Sequence, residues 1–196
     1  MASGSDPAYP EKVWRRFLEL VDEELPERRK LVLVGGAAIS LRYARRHNTR
    51  DMDSATSGDN VLWNAIQRAR RRLKAELGLE KAPPVGTTGG VLDPPENYED
   101  RLEQILPTLA KLRVFVPERH DLAIMKTSRM QGRDAEAIRA MHEAEPFRLQ
   151  TLVERYEEAC RVFVGNPRRL RLNFLSLVST LFGHEKSVEL EERGLV

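Results

Sequence analysis

The sequence holds one cysteine, Cys160, so it can form no disulfide within the chain and no cysteine-based metal cluster. That usage fits a reducing compartment. Cys160 falls in a helical pattern, where it reads as a small core hydrophobe. The four histidines, His47, His120, His142 and His184, are scattered without metal-ligand spacing and read as surface or capping residues. No apolar run approaches the ~20 residues of a membrane-spanning helix. No basic-then-apolar leader opens the chain. A cytoplasmic protein with no membrane contact is the expectation. Acid and base nearly balance, Lys and Arg totalling 32 against 30 for Asp and Glu, so any nucleic-acid contact needs a local patch. There is no internal repeat. The glycines and prolines of 80–97 match neither a P-loop nor a dinucleotide fingerprint and read as a loop.

What remains is ordinary globular chemistry: 196 residues, 41% hydrophobic and 32% charged. Val13, Phe17, Val21 and Leu25 make an apolar stripe on a first helix. Leu31–Val34 is an apolar run without alternation, a strand buried on both faces. A helix using Ala37, Ala38, Leu41 and Ala44 follows, then a strand near Met52–Ala55. Asp59 caps a helix that runs to about Leu77, where Gly78 stops it. Its outer face, Arg68 to Lys74, is either solvated or an RNA-facing patch. A short strand is expected near Val91 and Leu92. Tyr98–Leu106 is short and amphipathic, and Leu112–Val116 alternates as a strand. Four helices close the chain, the last from Pro167 to about Phe182, and the tail from Gly183 is expected to fray. The fold class is α+β, or mixed α/β. A core over 1–118 carries a small sheet flanked by helices, and a helical subdomain over 119–196 packs on it.

One stretch concentrates chemistry. After the buried strand come Gly35 and Gly36, which permit a tight turn whose N–H groups can face an anion. Asp51 and Asp53, two apart on the next strand, project from one face. Like charges held that close are costly unless a cation sits between them. Mg²⁺ or Mn²⁺ suits the pair, since such an ion takes one or two carboxylates plus substrate phosphates. Lys126, among apolar neighbours, either snorkels or points at an anion. Asp134 either joins the site or caps the helix that follows it.

Val34-Gly35-Gly36-Ala37-Ala38 with Asn48-Thr49-Arg50-Asp51-Met52-Asp53 resembles the signature of the polymerase-β-like nucleotidyltransferase superfamily. The fuller form is most similar to the AbiEii-type nucleotidyltransferases, the toxin half of some bacterial toxin–antitoxin pairs. A second segment, from Asp121 through Lys126 to Arg133-Asp134, resembles that family's later motif. The likeness covers about 31–55 and 112–140. It implies metal-dependent transfer of a nucleotide from a nucleoside triphosphate to RNA, often tRNA, or to protein, with a cognate antitoxin as partner. Asp51 and Asp53 would hold Mg²⁺ or Mn²⁺ and act in catalysis with Lys126 and Asp134. Gly35, Gly36 and Arg133 would meet the nucleotide. The third metal carboxylate of the polymerase-β pattern has no counterpart on Leu112–Val116; Asp93, Glu99 and Asp100 stand as substitutes. That gap motivates a second reading, a catalytically degenerate fold that only binds nucleotide, RNA or a partner.

Overall fold

The computed structural model describes residues 8–44, 46–87 and 94–194. The expected strand at Val91–Leu92 and the acid Asp93 lie outside the described residues, as does Arg45. The chain divides into two compact units: Met1–Gly89 with Glu103–Val116, and Gly90–Leu102 with Pro117–Val196.

The first unit is a five-stranded mixed sheet with helices. Its strands are β1 (Arg29–Val34), β2 (Met52–Ser54), β3 (Val85–Thr87), β4 (Glu103–Ile105) and β5 (Leu112–Val116), in the order β3-β2-β1-β5-β4. β1 runs parallel to β5 and antiparallel to β2; β3 is parallel to β2, and β4 antiparallel to β5. With a neighbour on each side, β1 buries every residue from Leu31 to Val34. Tyr98–Leu106 therefore does not form one amphipathic element. It splits into a 3₁₀ turn, Tyr98–Arg101, and edge strand β4, because the backbone of Glu103–Ile105 pairs with Val114–Val116. That partner is remote in sequence, and local patterning could not reveal it.

Helix α1 (Glu11–Glu24) packs on α3 (Asn60–Glu76). Trp14, Phe17, Leu18, Leu20 and Val21 are its buried residues, so the apolar stripe is wider than the four-residue repeat suggested. Asp59 accepts from Leu62 N–H at 3.0 Å and caps α3 as expected. The arginines of α3 are partly spoken for. Arg68 and Arg72 pair with Glu24 at 2.7 and 2.9 Å, and Arg72 also reaches Glu23. Exposed pairs of this kind contribute little each, but they draw Arg68 and Arg72 toward α1.

The end of α1 is fastened to the start of β5 by one carboxylate. Asp22 Oδ1 accepts from the N–H groups of Lys111 and Leu112, both at 2.6 Å, and Oδ2 accepts from Ala110 N–H at 3.2 Å. A charged acceptor serving three main-chain donors is worth more than a neutral bond, and removing it leaves all three without that partner. Asp22→Ala is expected to cost about 2–3 kcal/mol in urea denaturation, and Asp22→Asn less. An unchanged midpoint for Asp22→Ala would show that water replaces the carboxylate without loss.

The second unit holds α4 (Arg119–Thr127), α5 (Gly132–Ala144), α6 (Leu149–Val162), α7 (Pro167–Phe182) and α8 (His184–Glu192), with α5, α6 and α7 each touching α4. Five helices thus follow β5, not four. The tail expected to fray is helical because Ser187 and Leu190 are buried and Ser187 Oγ donates to Leu175 C=O on α7 at 3.2 Å. Every residue of α4 is buried, including five that are polar or charged. Buried charges must be paired, and here they are. Asp121 receives Arg101 through two N–H donors at 2.9 Å each, and Arg155 Nε lies 3.3 Å from Asp121 Oδ1 without hydrogen-bond alignment. Burial still pushes the Asp121 carboxyl up, against the pull of both arginines. His120 is not a surface residue: it is buried, Nδ1 lies 2.7 Å from Glu118 Oε1, and Nε2 accepts from Arg148 N–H at 3.1 Å. That pattern puts its proton on Nδ1. Cys160 is exposed, because the buried face of α6 is Leu152, Val153, Tyr156 and Ala159. No helix among the described residues is long and apolar enough to cross a membrane.

Candidate active site

The chain leaves β1 at Val34 and turns directly into a short helix, α2 (Gly35–Ala38), continued by a π-helical turn over Ile39–Tyr43. Gly35 has φ +65°, a conformation that a residue with a side chain adopts only at a cost. The turn is also crowded. A Cβ on Gly35 would lie 3.1 Å from Asp53 Oδ2. A Cβ on Gly36 would lie 2.8 Å from Thr49 Cβ and closer still to its Oγ1. The two glycines therefore have a use beyond the turn itself. Their missing side chains are the space that Asp53 and Thr49 occupy.

β2 supplies the acids. Asp53 is paired across the sheet with Val34 on one side and Gly86 on the other, so its main chain is held from both directions. Met52 and Ser54 are buried, whereas Asp51 is exposed and Asp53 partly so. The alternation puts both carboxylates on the face opposite the core. Asp51 lies one residue before the strand. Thr49 Oγ1 lies 3.2 Å from the Asp51 carbonyl oxygen and 3.4 Å from Asp51 Oδ1. Glycine turn, Thr49 and both acids thus form one contiguous corner of the first unit. Among the described residues, no group of three or more His, Cys, Asp and Glu side chains is gathered to hold a metal ion.

Lys126, Arg133 and Asp134 belong to the helical unit. Lys126 Nζ and Asp134 Oδ1 are 2.9 Å apart and both groups are buried. Arg129 adds Nε to Oδ2 at 3.0 Å and Nη2 to Oδ1 at 2.9 Å, and Gln131 N–H donates to Oδ2 at 3.1 Å. Asp134 is therefore N3 of α5 in a reciprocal cap with Gln131. Burial would raise its pKa, but Arg129 and Lys126 outweigh that and hold the carboxyl at about 2. Arg133, beside it, is exposed and makes no ion pair among the described residues. Glu99 and Asp100, two of the substitutes for a third acid, are exposed in the 3₁₀ turn of this same unit. The residue that sequence reasoning passed over is Thr49. A threonine two positions before an acid is a known local bonding pattern, but its burial against Gly36 is a tertiary fact.

A buried strand breaking at two glycines into a helix, with an Asp-x-Asp strand antiparallel beside it in a mixed sheet, is a nucleotidyltransferase-like α+β architecture. The chain belongs to the family described as nucleotidyltransferase of unknown function (DUF6036), whose model matches residues 15–184. No curated protein and no solved structure matches it.

Proposed function

We propose that this protein is a metal-dependent nucleotidyltransferase that moves a nucleotide from a nucleoside triphosphate to a hydroxyl of RNA, such as tRNA, or of protein. The likeness to AbiEii-type enzymes makes a toxin paired with a cognate antitoxin the expected setting, in the cytoplasm. The observation that carries the reading is the carboxylate of Asp53 lying against the Gly35 turn, with Asp51 on the same strand face. Two carboxylates fit a hard divalent ion that completes its shell with phosphate oxygens and water. Such an ion, when bound, would offset charge on the triphosphate and on the departing diphosphate. The chain's own part is positioning: Asp51 and Asp53 bind, and the bare Gly35 main chain lets Asp53 close on the turn. Catalysis of this type rests on positioning and charge, so few side chains are needed.

The test is transfer of label from each α-³²P nucleoside triphosphate, with Mg²⁺, onto total tRNA or protein by the purified full chain. A labelled acceptor is expected. The two-carboxylate donor set also motivates a second reading, a degenerate enzyme that binds nucleotide only. Calorimetric nucleotide binding with no labelled product on any acceptor supports that reading and overturns the first.

RNA as the acceptor draws support from a basic corner of the helical unit. Arg168 and Arg169 occupy the first turn of α7, and Arg133 the first turn of α5. Cations there oppose the helix dipole and cost each helix about 0.3–1 kcal/mol. Arg169 Nη2 donates to Arg129 C=O at 3.4 Å, which brings Arg129 to the same corner. Neither Arg133 nor Arg168 has an ion-pair partner among the described residues. Reversing both Arg168 and Arg169 to Glu is expected to weaken RNA binding about tenfold or more and to flatten the salt dependence by about two units of slope. An unchanged slope removes this surface from any RNA contact.

A further inference from the structure

We infer that Thr49 is a positioning residue that joins the two halves of the carboxylate site; this rests on the metal-site reading above. Thr49 lies in the irregular stretch between the π-helical turn and β2, yet it is only 8% exposed. Three sets of contacts hold it. Its main chain forms an isolated antiparallel bridge with Tyr9, whose N–H donates to Thr49 C=O at 2.7 Å and whose C=O accepts from Thr49 N–H at 3.2 Å. Tyr9 is itself buried, with its ring edge-on to Trp14 at 5.6 Å, and Trp14 is wholly buried on α1. The Thr49 backbone is therefore anchored to Tyr9, just ahead of α1, and not to a strand of the sheet. Its side chain presses on Gly36, in the space a Cβ there would need. Its hydroxyl reaches the carbonyl and the Oδ1 of Asp51.

Asp51 needs such a support more than Asp53 does. Asp53 is gripped by strands on both sides. Asp51 is exposed, precedes the first paired residue of β2, and among the described residues Thr49 is the side chain that contacts its carboxylate. An exposed carboxylate samples several rotamers, and each must be given up when a metal ion is bound. A hydroxyl whose one proton is shared between the Asp51 carbonyl, 3.2 Å away, and Oδ1, 3.4 Å away, narrows that choice and leaves Oδ2 for the ion. Partners that orient a metal ligand in this way typically change metal affinity by about 10–100-fold. The same threonine sets the distance between the Gly36 turn and the acids, so nucleotide and metal would meet one pre-set geometry.

The experiment measures Mn²⁺ binding by electron paramagnetic resonance, in the presence of a non-hydrolysable nucleoside triphosphate analogue, together with urea midpoints. Wild type is compared with Thr49→Val, Thr49→Ser and Asp53→Asn. Thr49→Val keeps the shape and removes the hydroxyl; it is expected to weaken Mn²⁺ about tenfold with little change in urea midpoint. Thr49→Ser, which restores the hydroxyl, is expected to recover most of the affinity. Should Thr49→Val not fold, Thr49→Ala removes the same hydroxyl with less bulk and gives the same comparison. Wild-type affinity in the hydroxyl-free variant, or equal loss in Thr49→Ser, overturns the positioning role. Mn²⁺ binding that Asp53→Asn leaves untouched overturns the metal-site reading itself.

Discussion

Asp53→Asn is expected to lower nucleotidyl transfer by at least about 10²–10³-fold while leaving the urea midpoint near that of wild type. The substitution keeps the size of the side chain, so the close approach to Gly35 is preserved. The backbone stays paired with Val34 and Gly86 whatever the side chain carries. What is lost is one full negative charge at the one position where acid and glycine turn meet. Asp51→Asn is expected to do less, since Asp51 lies outside the strand ladder and its carboxylate is exposed, where water already weakens its hold on a cation. The ranking is itself a test. If the double substitution Asp51→Asn/Asp53→Asn transfers nucleotide as fast as wild type, metal held by this pair plays no part in the reaction. If Asp51→Asn is the more damaging of the two, the strand-held acid is not the principal ligand. Activity is measured at saturating triphosphate and across a Mg²⁺ titration, because a weakened site shows first as a higher metal requirement and only then as a lower plateau.

The corner that carries this prediction was legible in the sequence because its signals are local. A strand without alternation, two glycines and two acids two residues apart each have a short-range physical meaning. They also fall within twenty-odd residues of one another, so the register Val34↔Asp53 follows almost directly from the antiparallel pairing. The rest needed partners that no local pattern names. β4 exists because Glu103–Ile105 finds β5. α8 is held because Leu190 is buried and Ser187 reaches α7. Cys160 falls on the outer face of α6 because Tyr156 and Ala159 take the inner one, although periodicity alone allowed either phase. α4 defeats a hydropathy reading most completely. Arg119, His120, Asp121 and Lys126 give it the look of a helix with a wet face, yet it is buried along its whole length because each group finds its counter-group elsewhere in the same unit. Thr49 failed for the same reason in miniature: the residue was in view, and the glycine it packs against was thirteen positions upstream.

Lys126 and Asp134, the second pair suggested by motif, are separated from Asp51 and Asp53 by an expected difference in kind. Asp134→Ala is expected to destabilise the chain by about 3 kcal/mol or more. Lys126 is buried, and its ammonium has Asp134 2.9 Å away; without the carboxylate that buried charge loses its counter-ion. The same change removes the α5 cap at Gln131 and a two-point contact with Arg129. The reverse substitution, Lys126→Met, is expected to cost much less, because Asp134 keeps Arg129 and the Gln131 N–H. This asymmetry distinguishes a structural pair from two independent catalytic groups, which would show no preference for which partner is lost first. The carboxyl also sets a pH dependence. Its folded-state value of about 2 lies below its ordinary value of 3.8, so its contribution to stability is complete above about pH 4 and drains away as pH falls from there toward 2. Urea midpoints taken between pH 2 and 5 should therefore fall more steeply in wild type than in Asp134→Asn, which has no carboxyl to titrate. Parallel curves would mean that Asp134 carries no pH-dependent stability. If Lys126→Met keeps its midpoint but raises KM for the triphosphate, the lysine has a part in nucleotide use, as the motif implies, beyond its ion pair with Asp134.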